Sequence, residues 1–399
     1  MGDLEGKRIV LGVSGGIACY KSADLVRRLM DHGAHVDVVM TQSACQFVSP
    51  TTFQALSSGP VYTDLWDRRA PNNMVHINLT RQADLVLIAP ASANLMAKLA
   101  HGLADDLLST LCLASQLPLM IAPAMNREMW LAPASVRNVA LLRADGVEII
   151  GPGQGAQACG ETGDGRMLEP HEIVDAVRAH FQPKILDGLK VLMTAGPTCE
   201  PIDPVRVITN RSSGKTGYAL AQAARDAGAR VTLVSGPTAL PCPPGVTRLS
   251  VQTALQMHQA VMRHATESDL FIAVAAVADW RVANPTDEKL KKIDTGAPEL
   301  KFVMNPDILQ EVASLAPSPW CVGFAAETSL DLAQLQAKRQ RKRISLLIAN
   351  LAQDVMDSED TQVQLIDESG SHPLPAGPKI QVARVIITEI ARRYRQHQA

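Results

Sequence analysis

Short apolar runs alternate along this chain with longer stretches in which apolar residues recur every three or four positions. KRIVLGVS (7–14) reads as a buried strand, followed by a glycine turn and an amphipathic helix to about His32. HVDVVMT (35–41), ADLVLIAPA (83–91), LPLMIAPA (117–124) and GVEIIGP (146–152) repeat the strand signature through the first half. LKVLMTAG (189–196) starts the series again, with RVTLVSGP (230–237), DLFIAVAAVAD (269–279), CVGFAAE (321–327) and SLLIAN (345–350) behind it. Strands separated by helices need crossover connections, so the pattern predicts α/β architecture: parallel sheets with helices on both faces. HFQPKILDG (180–188) is the polar, Pro- and Gly-containing break between the two series, which predicts one domain over 1–186 and another over 187–399. Both are expected to be doubly wound and Rossmann-like. DHGAHVDVVMT (31–41) and DAGARVTLVSG (226–236) share a helix end, a capping glycine and a following strand, an echo that two such domains produce by physics alone. SGSHPLPAGP (369–378) reads as a surface loop before a final helix rich in Arg.

The 399 residues fit two domains, and 46% hydrophobic content is ample for two cores. With 38 Lys+Arg against 40 Asp+Glu, the net charge of −2 leaves no electrostatic footprint for nucleic acid or acidic lipid. Seven Cys, an odd number without a C-x-x-C pair, argue against a disulfide framework or a structural zinc site. Runs such as FIAVAAVA (271–278) are too short to span a bilayer, and the first residues hold no signal-peptide apolar block. A soluble, cytoplasmic protein is expected.

The candidate chemistry gathers where strands end. GVSGGIA (12–18) lies between the first strand and the first helix, where free helix N–H groups attract phosphate; its glycines have the wrong spacing for a dinucleotide fingerprint. Ser14 completes a literal G-x-S-x-G, but on a first strand, where a hydrolase nucleophile does not sit; a phosphate-binding turn is favoured, with a plain tight turn as its rival. TNRSSGKTG (209–217) lacks the leading glycine of a P-loop, since Thr209 stands there, yet Asn210, Arg211, Ser212 and Ser213 form a dense set of donors for an anion. Asp279 ends a long apolar strand and faces a ligand or caps a turn. EKLKK, with Lys289, and KRQRKR (338–343) are basic runs of the kind that usually coat a solvated helix. A lone histidine such as His76 is more often packed than catalytic. Asn126 just follows a strand. Cys159 sits among glycines 151, 153, 155, 160, 163 and 165, a composition that predicts a flap; a thiol there enters an active site or fills a turn.

Taken in order, His76-Ile77-x-Leu79, PAMN (123–126), ACGxxGxGRM (158–167), TNRSSGK, AAVADWR (275–281), NPDI (305–308) and GFAAET (323–328) resemble the bacterial bifunctional phosphopantothenoylcysteine decarboxylase/phosphopantothenate–cysteine ligase family of coenzyme A biosynthesis, from about residue 6 to 395. The resemblance implies that the first domain has the flavodoxin-like fold of the flavin-containing cysteine decarboxylases and holds FMN. Its contacts would be Gly15, Gly16, Ile17, Ser43, Ser92, Ala93, Asn94 and Ala124. Oxidising the substrate thiol supplies the electron sink that lets carbon dioxide leave. His76 would serve that oxidative decarboxylation, Asn126 would bind the departing carboxylate, and Cys159 would protonate the enethiol. The second domain is implied to join cysteine to 4'-phosphopantothenate with CTP and Mg2+, through an acyl-cytidylate. Lys289 would stabilise its formation and Asn210 would act on its conversion. Asp279, Lys289, Asn305, Pro306, Asp307, Ile308, Phe324, Lys338 and Lys342 match the family's CTP-contacting positions. Magnesium would ride on the nucleotide, so no protein ligand is assigned to it. A trimerising first domain and a dimerising second one would close into a homo-oligomer, up to a dodecamer.

The chain departs from the family at Val75 (usually Gly), at Thr216 (usually Met), and in ANLAQDV (349–355), after which the usual aromatic and Asn are absent around Asp357 to Thr361. A non-catalytic FMN-binding regulatory protein is the alternative reading, as relatives of the decarboxylase fold serve that way.

Overall fold

The computed structural model describes residues 3–66, 74–158, 160–290, 299–351 and 358–398. The chain divides into two compact units, Met1–Phe181 and Gln182–Ala399.

In the first unit, β1 (Arg8–Val13), β2 (His35–Met40), β3 (Val61–Tyr62), β4 (Leu85–Ala91), β5 (Leu119–Pro123) and β6 (Glu148–Ile149) form a parallel sheet of order 3-2-1-4-5-6. The five strands other than the two-residue edge strand β3 follow the flavodoxin order, which reverses between β1 and β4. The strand pleat divides the core in two. Ile9, Leu11 and Val13 face a layer built from α1 (Cys19–Asp31), α2 (Pro50–Ser57) and the later helix Pro170–His180; Val10 faces the other. That other layer is α3 (Val75–Gln82), α4 (Ala93–Ala100), α5 (Leu107–Leu113) and, beyond the five-residue α6 (Arg127–Leu131), α7 (Pro133–Ala144). The glycine-rich stretch expected as a flap forms an antiparallel hairpin, β7 (Gly153–Ala156) and β8 (Thr162–Arg166), ahead of α8 (Pro170–His180).

In the second unit, β9 (Lys190–Ala195) is followed by a ribbon of β10 (Cys199–Pro201) and β11 (Val207–Thr209), helix α9 (Lys215–Asp226), β12 (Arg230–Ser235), β13 (Thr247–Ser250) and α10 (Ala254–Ala265). Then come β14 (Leu270–Ala273), a ribbon of β15 (Trp280–Val282) and β16 (Phe302–Met304), α11 (Ile308–Ala313), β17 (Trp320–Glu327), α12 (Leu332–Arg341) and β18 (Leu346–Leu351). The main sheet runs β13-β12-β9-β14-β17-β18 in parallel. Its β18 edge carries an antiparallel pair, separated from it in sequence by the short β19 (Asp360–Thr361): β20 (Gln364–Asp367) and β21 (Gly370–Pro373). The sheet is therefore mixed, and the 369–378 stretch is not simply a loop. It contributes β21 and β22 (Gly377–Pro378), the latter paired with β19, before α13 (Lys379–Gln398). Helices α9 and α13 cover one face; α10, α11 and α12 cover the other.

The predicted strand 269–279 forms a continuous ladder only over Leu270–Ala273, with one isolated parallel bridge further on, between Ala276 and Pro197. Beyond Ala273, the N–H groups of Val274 and Ala275 donate to Thr194 Oγ1, and that of Ala278 donates to Thr198 Oγ1 at 3.0 Å. Threonine side chains thus stand in for most of the ladder, while Ala276 N–H still donates to the Gly196 carbonyl at 3.0 Å.

Asp367, at the end of β20, accepts from Ser369 Oγ (2.6 Å) and from Arg393 Nη2 (3.0 Å). Burial opposes its ionisation, but Ser369, His372 and Arg393 together hold the carboxyl well below the ordinary carboxylate range. A carboxyl depressed by folding adds stability above its unfolded pKa and loses it as pH falls through the folded value. Asp367→Asn is expected to cost about 1–3 kcal/mol at pH 7, read by thermal denaturation. The difference from the parent protein should begin to narrow below about pH 4 and close only as pH falls through the depressed folded value. No helix among the described residues is long and apolar enough to cross a membrane.

Candidate functional site

The first unit has a cavity of about 950 Å³ at the carboxyl ends of its strands, beside the point where strand order reverses. Each wall is a segment that follows a strand. The turn after β1 supplies Gly15, Gly16 and Ile17; the segment after β2 supplies Ser43; Ser92, Ala93 and Asn94 follow β4; Ala124 and Asn126 follow β5. Gly15 is required by close approach, because a Cβ there would lie 2.4 Å from Ser43 Cβ. Ser14 is not a free nucleophile. Its buried hydroxyl donates to the Pro90 carbonyl at 2.8 Å and accepts from Ser92 N–H at 2.8 Å, tying the β1 and β4 loops together. Ser92 in turn caps α4 by accepting from Leu95 N–H.

Asn126 caps α6, its Oδ1 accepting from Glu128 N–H at 2.8 Å and Met129 N–H at 3.2 Å, while Nδ2 donates to Glu161 at 2.5 Å. The hairpin closes on this turn. Met125 N–H donates to the Gly165 carbonyl at 2.9 Å, and a Cβ on Gly165 would meet Met125 O at 2.5 Å, so backbone lies directly on backbone. The lining also holds four charged residues to which sequence reasoning assigned no role, Lys21, Lys98, Asp106 and Arg166. Lys21, 6% exposed, donates to Met167 O and to Glu169 at 2.8 Å; Arg166 donates to the same carboxylate at 2.7 Å. Lys21, then Arg166, holds the Glu169 carboxyl below its usual range. Lys98 sits between Asp105 and Asp106, whose hydrogen bonds raise its pKa.

The second unit has a cavity of about 630 Å³, again at strand ends. It brings together Asn210, Asp279, Phe324 and Lys338 with the 211–217 stretch that enters α9. Asn210 Nδ2 donates to the Ala276 carbonyl at 2.9 Å, where the chain has just left the sheet. Asn305 Nδ2 donates to Ala278 O at 2.8 Å and its N–H to Asp279 O at 2.9 Å, which fixes the NPDI segment against the AAVAD end. Lys338 pairs with Glu327 at 2.7 Å. Lys215, Asn350 and Lys379 also line the space. Among the described residues no group of three or more His, Cys, Asp or Glu is placed to hold a metal ion.

Residues 1–182 match the Flavoprotein family model, and residues 186–394 match that of the DNA/pantothenate metabolism flavoprotein C-terminal domain. A curated relative from Vibrio vulnificus (strain YJ016), the coenzyme A biosynthesis bifunctional protein CoaBC, is 47% identical over 395 residues, covering 98% of this chain and 98% of its own. The protein of that name from Escherichia coli (strain K12) is 48% identical over 399 residues, with 98% of each covered. That from Bacillus subtilis (strain 168) is 44% identical over 396 residues, with 97% of each covered. The chain belongs to the CoaBC family.

It is accordingly a bifunctional enzyme of coenzyme A biosynthesis, with a flavoprotein decarboxylase domain and a ligase domain. Not every residue matched to the CoaBC pattern meets the others in space. His76 is in the first turn of α3, half-buried, with Nδ1 enclosed and without a hydrogen-bond partner; it is not in the lining of the first cavity. Cys159 lies outside the described residues. In the second unit Lys289 is exposed and outside the cavity lining. Asp307 caps α11 and pairs with Lys342, Ile308 is packed in the core, and Pro306 joins them to Asn305; none of these five lines the cavity.

Proposed function

We propose that the second domain uses CTP and Mg2+ to ligate cysteine to 4'-phosphopantothenate, and that the first uses FMN to decarboxylate the product to 4'-phosphopantetheine. The observation that carries this reading is that a chain matching CoaBC along nearly its whole length has, in each unit, one strand-end cavity holding residues of the pattern. This supports assigning each cavity to one of the two reactions.

The first cavity fits a flavin phosphate. The close Gly15–Ser43 approach leaves the Gly16 side of the turn open, with nothing within 4 Å of where a Cβ would stand. Gly15, Gly16, Ile17, Ser43, Ser92, Ala93, Asn94 and Ala124 would hold FMN, which supplies the two-electron chemistry that makes carbon dioxide loss feasible. The Asn126 amide would orient the substrate carboxylate, its Oδ1 already fixed by the α6 N-terminus. His76 would serve the oxidative decarboxylation, and Cys159 would deliver a proton as the aminothiol forms. Asn126→Asp retains a capping oxygen but sets an anion against the carboxylate, so decarboxylation is expected to fall about 10²-fold with ligation unchanged. Carbon dioxide release at the parent rate would remove Asn126 from this role.

In the second cavity a carboxylate must first be made a good acyl donor. Attack of the 4'-phosphopantothenate carboxylate on the α-phosphorus of CTP expels pyrophosphate and gives an acyl-cytidylate. The cysteine amine then displaces CMP. Asp279, Lys289, Asn305, Pro306, Asp307, Ile308, Phe324, Lys338 and Lys342 would hold CTP, Lys289 would offset the charge developing in the first step, and Asn210 would act in the second. Magnesium would arrive with the nucleotide. Trimeric contacts of the first domain and dimeric contacts of the second would build a homo-oligomer in the cytoplasm.

The test is one assay of the purified chain: a visible spectrum, then 4'-phosphopantothenate, cysteine, CTP and Mg2+ with products followed by mass. A yellow protein making 4'-phosphopantetheine is expected. A yellow protein forming no ligated product would overturn the ligase assignment; a colourless one that stays inactive after FMN is added would overturn the decarboxylase assignment.

A further inference from the structure

Two lysines line the second cavity without a role in the reading above. Lys215 opens α9 and Lys379 opens α13, the latter 7% exposed. The same short stretch of chain occupies both. The Glu359 carboxylate accepts from Lys215 Nζ, and the Ser358 carbonyl accepts from Lys379 Nζ. The Glu359 backbone is anchored: its carbonyl accepts from Lys379 N–H at 3.0 Å, and the next two residues pair with Gly377–Pro378. Its side chain is 81% exposed, so the ion pair with Lys215 is of the solvent-screened kind that separates at little cost. Lys215, for its part, directly follows Ser212-Ser213-Gly214 at a helix N-terminus, in a lining that also holds Arg211.

An anion entering this cavity meets a lysine already neutralised by a carboxylate. We propose that Glu359 is an internal counter-ion that covers Lys215 when the cavity holds no anion and is displaced by the phosphate oxygens of the bound polyphosphate, thereby setting how tightly the cavity holds it. Were Glu359 instead the residue that aims Lys215 at its ligand, its removal would have the opposite sign. The inference rests on the nucleotide-binding reading of the second cavity.

The experiment compares the full-length protein with Glu359→Gln, measuring KM for CTP and kcat in ligation, together with binding of inorganic pyrophosphate. The variant is expected to show a KM about two- to fivefold lower and pyrophosphate binding tighter by a similar factor. The difference should shrink as potassium chloride rises from about 50 mM to about 500 mM. Glu359→Asp, which keeps the charge, should fall between the two. A KM and pyrophosphate affinity that are unchanged or weaker in Glu359→Gln overturn the counter-ion role. Should neither protein consume CTP, the nucleotide reading fails by itself, and the pyrophosphate comparison still decides for or against the counter-ion.

Discussion

Lys289→Gln is expected to abolish ligation, by at least about 10²–10³-fold, while the protein stays yellow and decarboxylates supplied 4'-phosphopantothenoylcysteine at the parent rate. The reasoning is electrostatic. A carboxylate attacking a triphosphate gathers negative charge, and pyrophosphate carries more of it away; a fixed ammonium is worth far more at that moment than in the ground state. The substitution removes charge and little else, because the Lys289 side chain is exposed and takes no part in the core. Its loop is held one residue further on. Leu290 N–H donates to the buried Asp203 carboxylate at 3.2 Å, and Arg206 donates to the Leu290 carbonyl at 2.7 Å. Thermal stability should therefore be unaltered, and ligation at the parent rate would show that the assignment to Lys289 is wrong.

Gly15→Ala should purify nearly colourless, with decarboxylation down at least about 100-fold and ligation intact. The added Cβ would stand 2.4 Å from Ser43 Cβ and 3.0 Å from the Ser43 carbonyl carbon, so the turn after β1 and the segment after β2 have to part. Those two segments form the proposed phosphate cradle, and separating them removes its donors from a common centre. Flavin-to-protein ratio by absorbance, followed by titration with FMN, reads the effect. Stoichiometric flavin in this variant would disqualify the cradle.

The doubly wound frame was legible because its signals are local: β-branched runs, capping glycines and the period of apolar residues between them each act within a dozen positions. What escaped depended on residues distant in sequence. Nothing in DLFIAVAAVAD reveals that Thr194 and Thr198 will take its later N–H groups, so a four-residue ladder and a lone bridge at Ala276 stand where an eleven-residue strand was expected. Gln364–Asp367 and Gly370–Pro373 are too short and too polar to read as sheet; only Leu365 and Ile366 give β20 a buried pair. The site residues show the same division. Asn126 and Asp279 were visible because they follow strands. Lys21 was not, since a lysine in the first turns of an amphipathic helix ordinarily faces water, and it is the chain at Met167 and Glu169 that buries it. Lys379 was hidden in the same way by Ser358. His76 and Lys289, assigned through family likeness, are not brought into a cavity lining by the single chain.

The pair β20–β21 also bears on how the protein behaves when concentrated. Without it, β18 would present six residues, Leu-Leu-Ile-Ala-Asn-Leu, as an open row of amide and carbonyl groups, a ready template for the growth of intermolecular sheet. With it, the outermost strand is four residues long and ends in Pro373, which has no N–H to offer. The opposite edge, β13, is equally short and reads Thr-Arg-Leu-Ser. An aggregation-prone strand is thus sealed between a neighbour and a hairpin, and shortening the Asp367–Gly370 turn would do its harm through insolubility, at some distance from either cavity.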